Sequence, residues 1–193
     1  MATPLDLSFV LSADRLEALP DSRAEIAVVG RSNVGKSSLL NALANRKALA
    51  KTSKTPGRTQ LLNCFEFPDG KTVVDCPGYG YAAVPDRVRR QWQPMIEGYL
   101  LNREQLTMIA VLVDGAIGPT DLDLQLLEWL RSEMLPHSVI ATKHDKVKPA
   151  KRERRKIEVA EACMLERADV VWTSAAKNVN IDRLRDLVRL WLT

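Results

Sequence analysis

The stretch from Glu25 to Leu49 limits the fold more than any other part of the chain. Glu25-Ile-Ala-Val-Val29 is a short, mostly apolar run. It is followed by Gly30-Arg31-Ser32-Asn33-Val34-Gly35-Lys36-Ser37, and then by Leu- and Ala-rich sequence at helical spacing. A run of that length closed by glycine predicts a buried strand, and the later spacing predicts a helix over 37–49. The eight residues between them match G-x-x-x-x-G-K-[ST] in the strand–loop–helix setting the motif requires. The two glycines let the backbone curl so that successive N–H groups face phosphate oxygens, and the helix N-terminus adds unpaired donors and partial positive charge. Lys36 would reach the β- and γ-phosphates, and Ser37 would offer its hydroxyl to Mg²⁺. The plain alternative is a glycine turn beside a surface lysine. The position between strand and helix argues against it.

The rest of the chain repeats the alternation. Leu61–Phe67 and Lys71–Asp75 flank Pro68-Asp69-Gly70 and predict a β-hairpin. Helices are expected over 86–101, 121–134, 148–167 and 181–192. Strands are expected over 107–113, 138–141 and 170–172. Strands alternating with helices predict an α/β sheet covered on both faces. Residues 1–24 read as a lead-in packed on or flanking one domain that spans 25–193. At 193 residues, with 46% hydrophobic and 27% charged, the chain can bury a core without staples.

Other classes fit poorly. Cys64, Cys76 and Cys163 are an odd set without C-x-x-C spacing, and His137 and His144 have no second ligand nearby in sequence. Neither a disulfide framework nor a zinc site is expected. The apolar run Met108–Val113 is too short to span a bilayer. The start of the chain has no basic-then-apolar export pattern. The expectation is a soluble, reduced, cytoplasmic domain, with no membrane partner.

Asp75-Cys76-Pro77-Gly78 ends the hairpin's second strand and fits D-x-x-G. A carboxylate there can hold Mg²⁺ through water, and Gly78 offers a backbone N–H to a γ-phosphate and a hinge when that phosphate leaves. The loop Thr55-Pro56-Gly57-Arg58-Thr59-Gln60, running into Leu61, precedes the hairpin. Thr59 is the preferred second hydroxyl for Mg²⁺, with Thr52 and Thr55 as rivals, and a basic solvated loop is the bland reading. Thr142-Lys143-His144-Asp145 follows the 138–141 strand. Asp145 can accept from the N1–H and the exocyclic amine of guanine, a donor pair that adenine lacks, while the stem of Lys143 lies across the base. Ser174-Ala175-Ala176 follows the last strand, where small residues let a backbone N–H approach guanine O6. Each falls at a strand's carboxyl end, where open α/β sheets bind ligands.

These motifs, taken in order, resemble a Ras-like GTPase domain. They are most similar to the EngB (YihA/YsxC) family, within the TrmE–Era class. The likeness rests on Gly30–Ser38, Thr55–Gln60, Asp75-Cys-Pro-Gly-Tyr-Gly-Tyr-Ala82 and Thr142–Asp145. It implies a three-layer α/β/α P-loop GTPase fold, with a mostly parallel sheet and one antiparallel edge strand. It also implies GTP and GDP as substrate and product, Mg²⁺, slow hydrolysis, a monomer, and action in maturation of the large ribosomal subunit or on its rRNA. A link to septum formation in cell division is implied as well. Thr142 stands where Asn is commoner, a substitution that bears on how firmly the base loop is tied to the phosphate loop. Tyr79 stands where many such enzymes place a water-orienting Gln, which predicts turnover on the order of 10⁻³ s⁻¹ or below. Asn33 is a candidate K⁺ ligand by the same likeness, with a plain turn residue as the alternative. Lys36, Asn33 and Gly78 are thus the candidate catalytic set.

Two basic stretches stand out. Residues 143–156 carry eight Lys and Arg against two acids, and 46–58 carry five against none. Arg87, Arg89, Arg90 and Trp92 lie just beyond the second switch. Solvated faces or contact with an anionic partner such as RNA are the two readings. A small-molecule kinase using ATP is the rival class. It would need a lid insertion, for which the chain has no room.

Overall fold

The computed structural model describes residues 2–50, 61–79 and 86–193, with side chains in the 86–102 helix taken from Pro94 onward. The expected contacts Gly57, Arg58, Thr59 and Gln60, the rivals Thr52 and Thr55, and the side chains of Arg87, Arg89, Arg90 and Trp92 lie outside the described set.

The described strands are β1 (Ser8–Ala13), β2 (Glu25–Gly30), β3 (Leu62–Glu66), β4 (Thr72–Asp75), β5 (Leu106–Asp114), β6 (His137–Thr142) and β7 (Val171–Trp172). They form one sheet in the order β1-β3-β4-β2-β5-β6-β7. The sheet is α/β and mostly parallel, and β3 alone runs against the rest. The lead-in supplies a strand of its own: β1 pairs with β3 in antiparallel register and takes the outermost position. Its mixed sequence Ser-Phe-Val-Leu-Ser-Ala, broken by a register shift between Phe9 and Leu11, hides the period-2 alternation that marks a strand.

Helices cover both faces. The strand pleat sends alternate residues to opposite sides. Ala27, Val29, Ile109, Val111 and Val113 meet α2 (Asp86–Asn102), α3 (Asp121–Ser132) and α4 (Arg152–Ala162) on one face. Ile26, Val28, Ala110 and Leu112 meet α1 (Lys36–Leu43) and α5 (Ile181–Trp191) on the other. Three layers result, with β2 and β5 buried from both sides.

Two helices are shorter than their sequence pattern predicts by more than two residues. Helix α1 stops at Leu43 because Asn45 turns left-handed (φ 51°) and the Arg46 N–H bonds back to Asn41 O, a Schellman ending. The Asn41 side chain then grips Ala50 on both its N–H and its carbonyl. The buried Arg185 of α5 donates to the Ala42 and Leu43 carbonyls. Helix α4 begins after a 3-10 turn at Pro149–Lys151 and ends before Met164, whose left-handed backbone (φ 54°) closes the same kind of motif.

At the amino end of the sheet the carboxylate of Glu25 is wholly buried. It accepts from Thr72 Oγ1 (2.6 Å), Tyr99 OH (2.8 Å) and Arg103 Nε and Nη2 (both 3.0 Å). Arg103 also donates to Pro20 O. This network fixes the last turn of α2 to the strand that carries the phosphate loop at its other end.

Candidate nucleotide-binding site

The site lies at the carboxyl ends of β2, β4, β5, β6 and β7. The phosphate loop leaves β2 at Gly30. A Cβ there would sit 2.9 Å from Leu112 O on β5, so only glycine lets the two strands approach. Gly35 has φ 111°, a left-handed value that glycine adopts without strain, and it delivers the chain into α1 at Lys36. The first-turn N–H groups of α1, including those of Ser37 and Ser38, have no partner within the helix. Val34 is buried and anchors the loop in the core, while Asn33 projects outward with φ 64°.

Beneath the loop, Lys36 and Asp75 are both buried, with Nζ and Oδ1 3.9 Å apart. Oδ1 of Asp75 is buried without a hydrogen-bond partner among the described residues. Burial pushes the Asp75 carboxyl above its usual range, and the Lys36 charge and the Ser37 hydroxyl only partly offset this. A buried carboxylate oxygen left open beside a serine hydroxyl is a donor set that suits a hard divalent cation. Asp75 and Ser37 therefore fit a divalent cation such as Mg²⁺.

Cys76 is buried behind Asp75, and its thiol is pushed up by burial and by that neighbour. Beyond Pro77, Gly78 rests on the phosphate loop, where a Cβ would stand 2.9 Å from Ser32 Cα, N and Oγ. Ser32 holds this contact from its own side. Its N–H donates to Tyr79 O (2.9 Å) and its hydroxyl to Gly78 O (3.1 Å), while Arg31 forms a bridge with Tyr79. The Tyr79 phenol is committed elsewhere, donating to Asp123 Oδ1 at 2.7 Å. Asp123 Oδ2 accepts from the Thr120 N–H and hydroxyl in the capping box of α3. Burial and Asp123 push the phenol's pKa upward, so it remains a donor. Tyr79 thus ties the D-x-x-G segment to α3, a role its position in the motif does not reveal.

The residues expected to read the base converge from two strand ends. Ser174 donates to Asp145 Oδ1 at 2.5 Å, fixing that carboxylate. The 174–179 loop is closed by paired backbone bonds between Ser174 and Val179, with Ala175 and Ala176 at its outer side. The His144 N–H donates to Thr173 O, and its ring meets Trp172 edge-on at 5.8 Å. Burial, with Arg152 and Lys156 nearby, lowers the pKa of His144, so the ring is neutral at pH 7.

The base loop is also tied to the phosphate loop. Thr142 Oγ1 lies 2.7 Å from Val34 O and 3.1 Å from Val113 O. Lys143 Nζ donates to Asn33 O at 2.8 Å. A threonine at 142 therefore keeps the tie. Lys143 Nζ also meets Asp114 Oδ2 at 2.7 Å. Asp114 and Asp123 belong to no motif read from the sequence. The only hint for Asp114 was an acid closing a fully apolar strand. Leu61, at the edge of the described set, is exposed. The stretch after the base loop is partly self-neutralised: Glu153 pairs with Lys156 and Arg167, and Glu158 with Arg154 and Arg155. Lys146, Lys148 and Lys151 are exposed with no ion pair among the described residues. No helix among the described residues is long and apolar enough to cross a membrane.

Comparison with known proteins agrees with this geometry. Residues 25–143 match the family model described as 50S ribosome-binding GTPase. The chain is 45% identical over 188 residues to "Probable GTP-binding protein EngB" of Escherichia coli K12, covering 96% of this chain and 90% of that protein. The crystal structure of a probable GTP-binding protein engB superposes with a TM-score of 0.72 at 25% identity, over 88% of this chain and 98% of that one. Era in complex with MgGDPNP and a 16S ribosomal RNA segment superposes with a TM-score of 0.67 at 25% identity, over 90% of this chain and 58% of Era. These matches decide against a metabolite kinase. The chain belongs to the EngB family and is a P-loop GTPase.

Proposed function

We propose that this GTPase is a nucleotide-gated assembly factor for the large ribosomal subunit, acting in the cytoplasm as a monomer, with 25–193 as its G domain. The observation that carries the partner is the ribosome-binding description of the family whose match over residues 25–143 spans the phosphate loop and D-x-x-G and ends at Lys143. The exposed cations Lys146, Lys148 and Lys151 beside the base loop support an RNA contact. A role in septation would follow from a shortage of ribosomes, and we place it second.

In this reading the backbone from Gly30 to Ser38 cradles the phosphates and Lys36 bonds the β- and γ-oxygens. Ser37, Asp75 and Thr59 would hold Mg²⁺, which would neutralise phosphate charge. Gly57, Arg58, Thr59, Gln60 and Leu61 are the further nucleotide contacts of this reading. Gly78 exchanges its rest on Ser32 for a γ-phosphate contact, the two-state element of the switch. Asp145 selects guanine, with Lys143 over the ring and the Ala175 and Ala176 backbone at O6. The phenol of Tyr79 is occupied by Asp123 and does not orient water, which supports slow intrinsic turnover. Asn33 is one of the few residues that tolerate φ near 60°, so the turn role has its own explanation. We carry K⁺ activation through Asn33 as a proposal, with faster hydrolysis in K⁺ than in Na⁺ at matched ionic strength as its expected result.

The test of the function is co-sedimentation with isolated ribosomal subunits. More protein should pellet with the large subunit under a non-hydrolysable GTP analogue than under GDP, and the difference should shrink as salt rises. Equal pelleting under both nucleotides, or none, would remove the switch reading.

A further inference from the structure

We propose that Asp114 is a positioning residue for guanine-nucleotide binding, acting through the Lys143 ammonium. The inference rests on the base-site reading of Lys143 and Asp145.

Asp114 closes β5, between the strand that carries the phosphate loop and the strand that carries the base loop. It is only 6% exposed. Its two oxygens have separate tasks. Oδ1 accepts the Ala116 N–H at 3.0 Å, which fixes the carboxylate's rotation, and Oδ2 accepts from Lys143 Nζ at 2.7 Å. The following residue must be small: a Cβ on Gly115 would stand 2.5 Å from the Trp172 ring and 2.6 Å from Thr142 O. The Gly115 N–H also donates to Thr142 O. Asp114 is therefore locked against the base loop by backbone on both sides.

Lys143 pays for its place in conformation. It has φ 57°, a left-handed value that an unbranched non-glycine residue holds only when its surroundings demand it. Its ammonium bridges Asp114 Oδ2 and Asn33 O, so one cation joins β5, the phosphate loop and the base loop. With the head group clamped at both contacts, the methylene stem is held in one course. A stem ordered before the nucleotide arrives loses less entropy on binding, and a base held under it leaves more slowly. Asp114 thus stabilises the bound state without touching the nucleotide.

Asp114→Asn is the cleanest probe. Its amide oxygen can still accept the Ala116 N–H, which turns the NH₂ group toward the ammonium and replaces an attraction by a repulsion. The experiment measures dissociation of fluorescent GDP and of a fluorescent non-hydrolysable GTP analogue from four full-length proteins: unaltered, Asp114→Asn, Lys143→Met and the double variant. Asp114→Asn should weaken both nucleotides about tenfold, mainly through a faster off-rate. In the Lys143→Met background the same change should cost less than threefold, because no ammonium remains to misplace. Equal losses in both backgrounds would mean that Asp114 acts through the fold, and would overturn the proposal. So would no loss in the unaltered background. If Lys143→Met alone leaves binding intact, the base-site reading falls and this inference falls with it, a result distinct from the other two. Should the Asn variant not fold, Asp114→Ser keeps an acceptor for the Ala116 N–H without the charge and carries the same cycle.

Discussion

The two ends of the central sheet bury carboxylates in opposite ways. At the amino end, Glu25 accepts from a threonine, a tyrosine and two nitrogens of one arginine. At the carboxyl end, Asp75 is equally buried, yet one of its oxygens has no partner among the described residues and its cation stands 3.9 Å away. Desolvation costs both groups. Glu25 is compensated within the protein, and Asp75 only in part. A buried charge that the fold satisfies is structural, and one that the fold leaves open is poised for something from outside. The same strand, β2, runs from the closed charge to the phosphate loop above the open one, so one element serves as anchor at one end and as binding platform at the other.

Three substitutions test that division. The largest effect is expected at the open end. Lys36→Ala removes charge-assisted bonds to two phosphates of GTP and to one of GDP, each worth about 1.5–3 kcal/mol, so affinity should fall about 100-fold or more for GTP and about 10-fold or more for GDP by calorimetry. Retained affinity would show that the backbone cradle alone suffices. Next is Glu25→Gln, which leaves Arg103 facing a neutral group in a buried network. It should cost about 3 kcal/mol and lower the melting temperature by about 6–12 °C, while the folded protein keeps its GDP affinity. A parallel loss of affinity would join the two ends that the structure separates.

The smallest effect has the opposite sign. Asp75→Asn removes an incompletely paired buried charge, so the nucleotide-free protein should melt about 2–4 °C higher, near 1 kcal/mol, while Mg²⁺-dependent GTP binding is lost. The pH dependence follows from the raised folded pKa of Asp75. The folded state holds this proton more tightly than the unfolded chain does. Stability therefore declines as pH climbs from the ordinary carboxyl value of 3.8 through the folded one. The advantage of Asp75→Asn over the unaltered protein should widen across that window and then level off. A lower melting temperature for Asp75→Asn at pH 7 would mean that the Lys36–Asp75 attraction outweighs the burial cost.

The contrast also marks what could be read in advance. Gly30, Gly35, Lys36 and Ser37 are legible because their spacing is local and their geometry follows from a strand, a turn and a helix in sequence. Asp75, Asp145 and Ser174 are legible because each closes or follows a strand in the expected order. The strand in the lead-in escaped because its alternation is irregular. The helix ends at Leu43 and Ala162 escaped because Asn45 and Met164, rather than glycine, take the left-handed positions. Asn is an ambiguous stop signal, and Met is no stop signal at all.

By itself, the sequence determined the alternation of strands and helices from Glu25 onward, the phosphate cradle and the acid proposed to read the base, since each depends on neighbours a few residues away. Only the tertiary structure decided that Glu25 is closed and Asp75 open, that Tyr79 serves Asp123, and that Asp114 holds Lys143. Those partners lie 29 to 78 residues apart along the chain. Whether a buried charge finds a counterpart is fixed by packing across strands, which no local pattern of residues encodes.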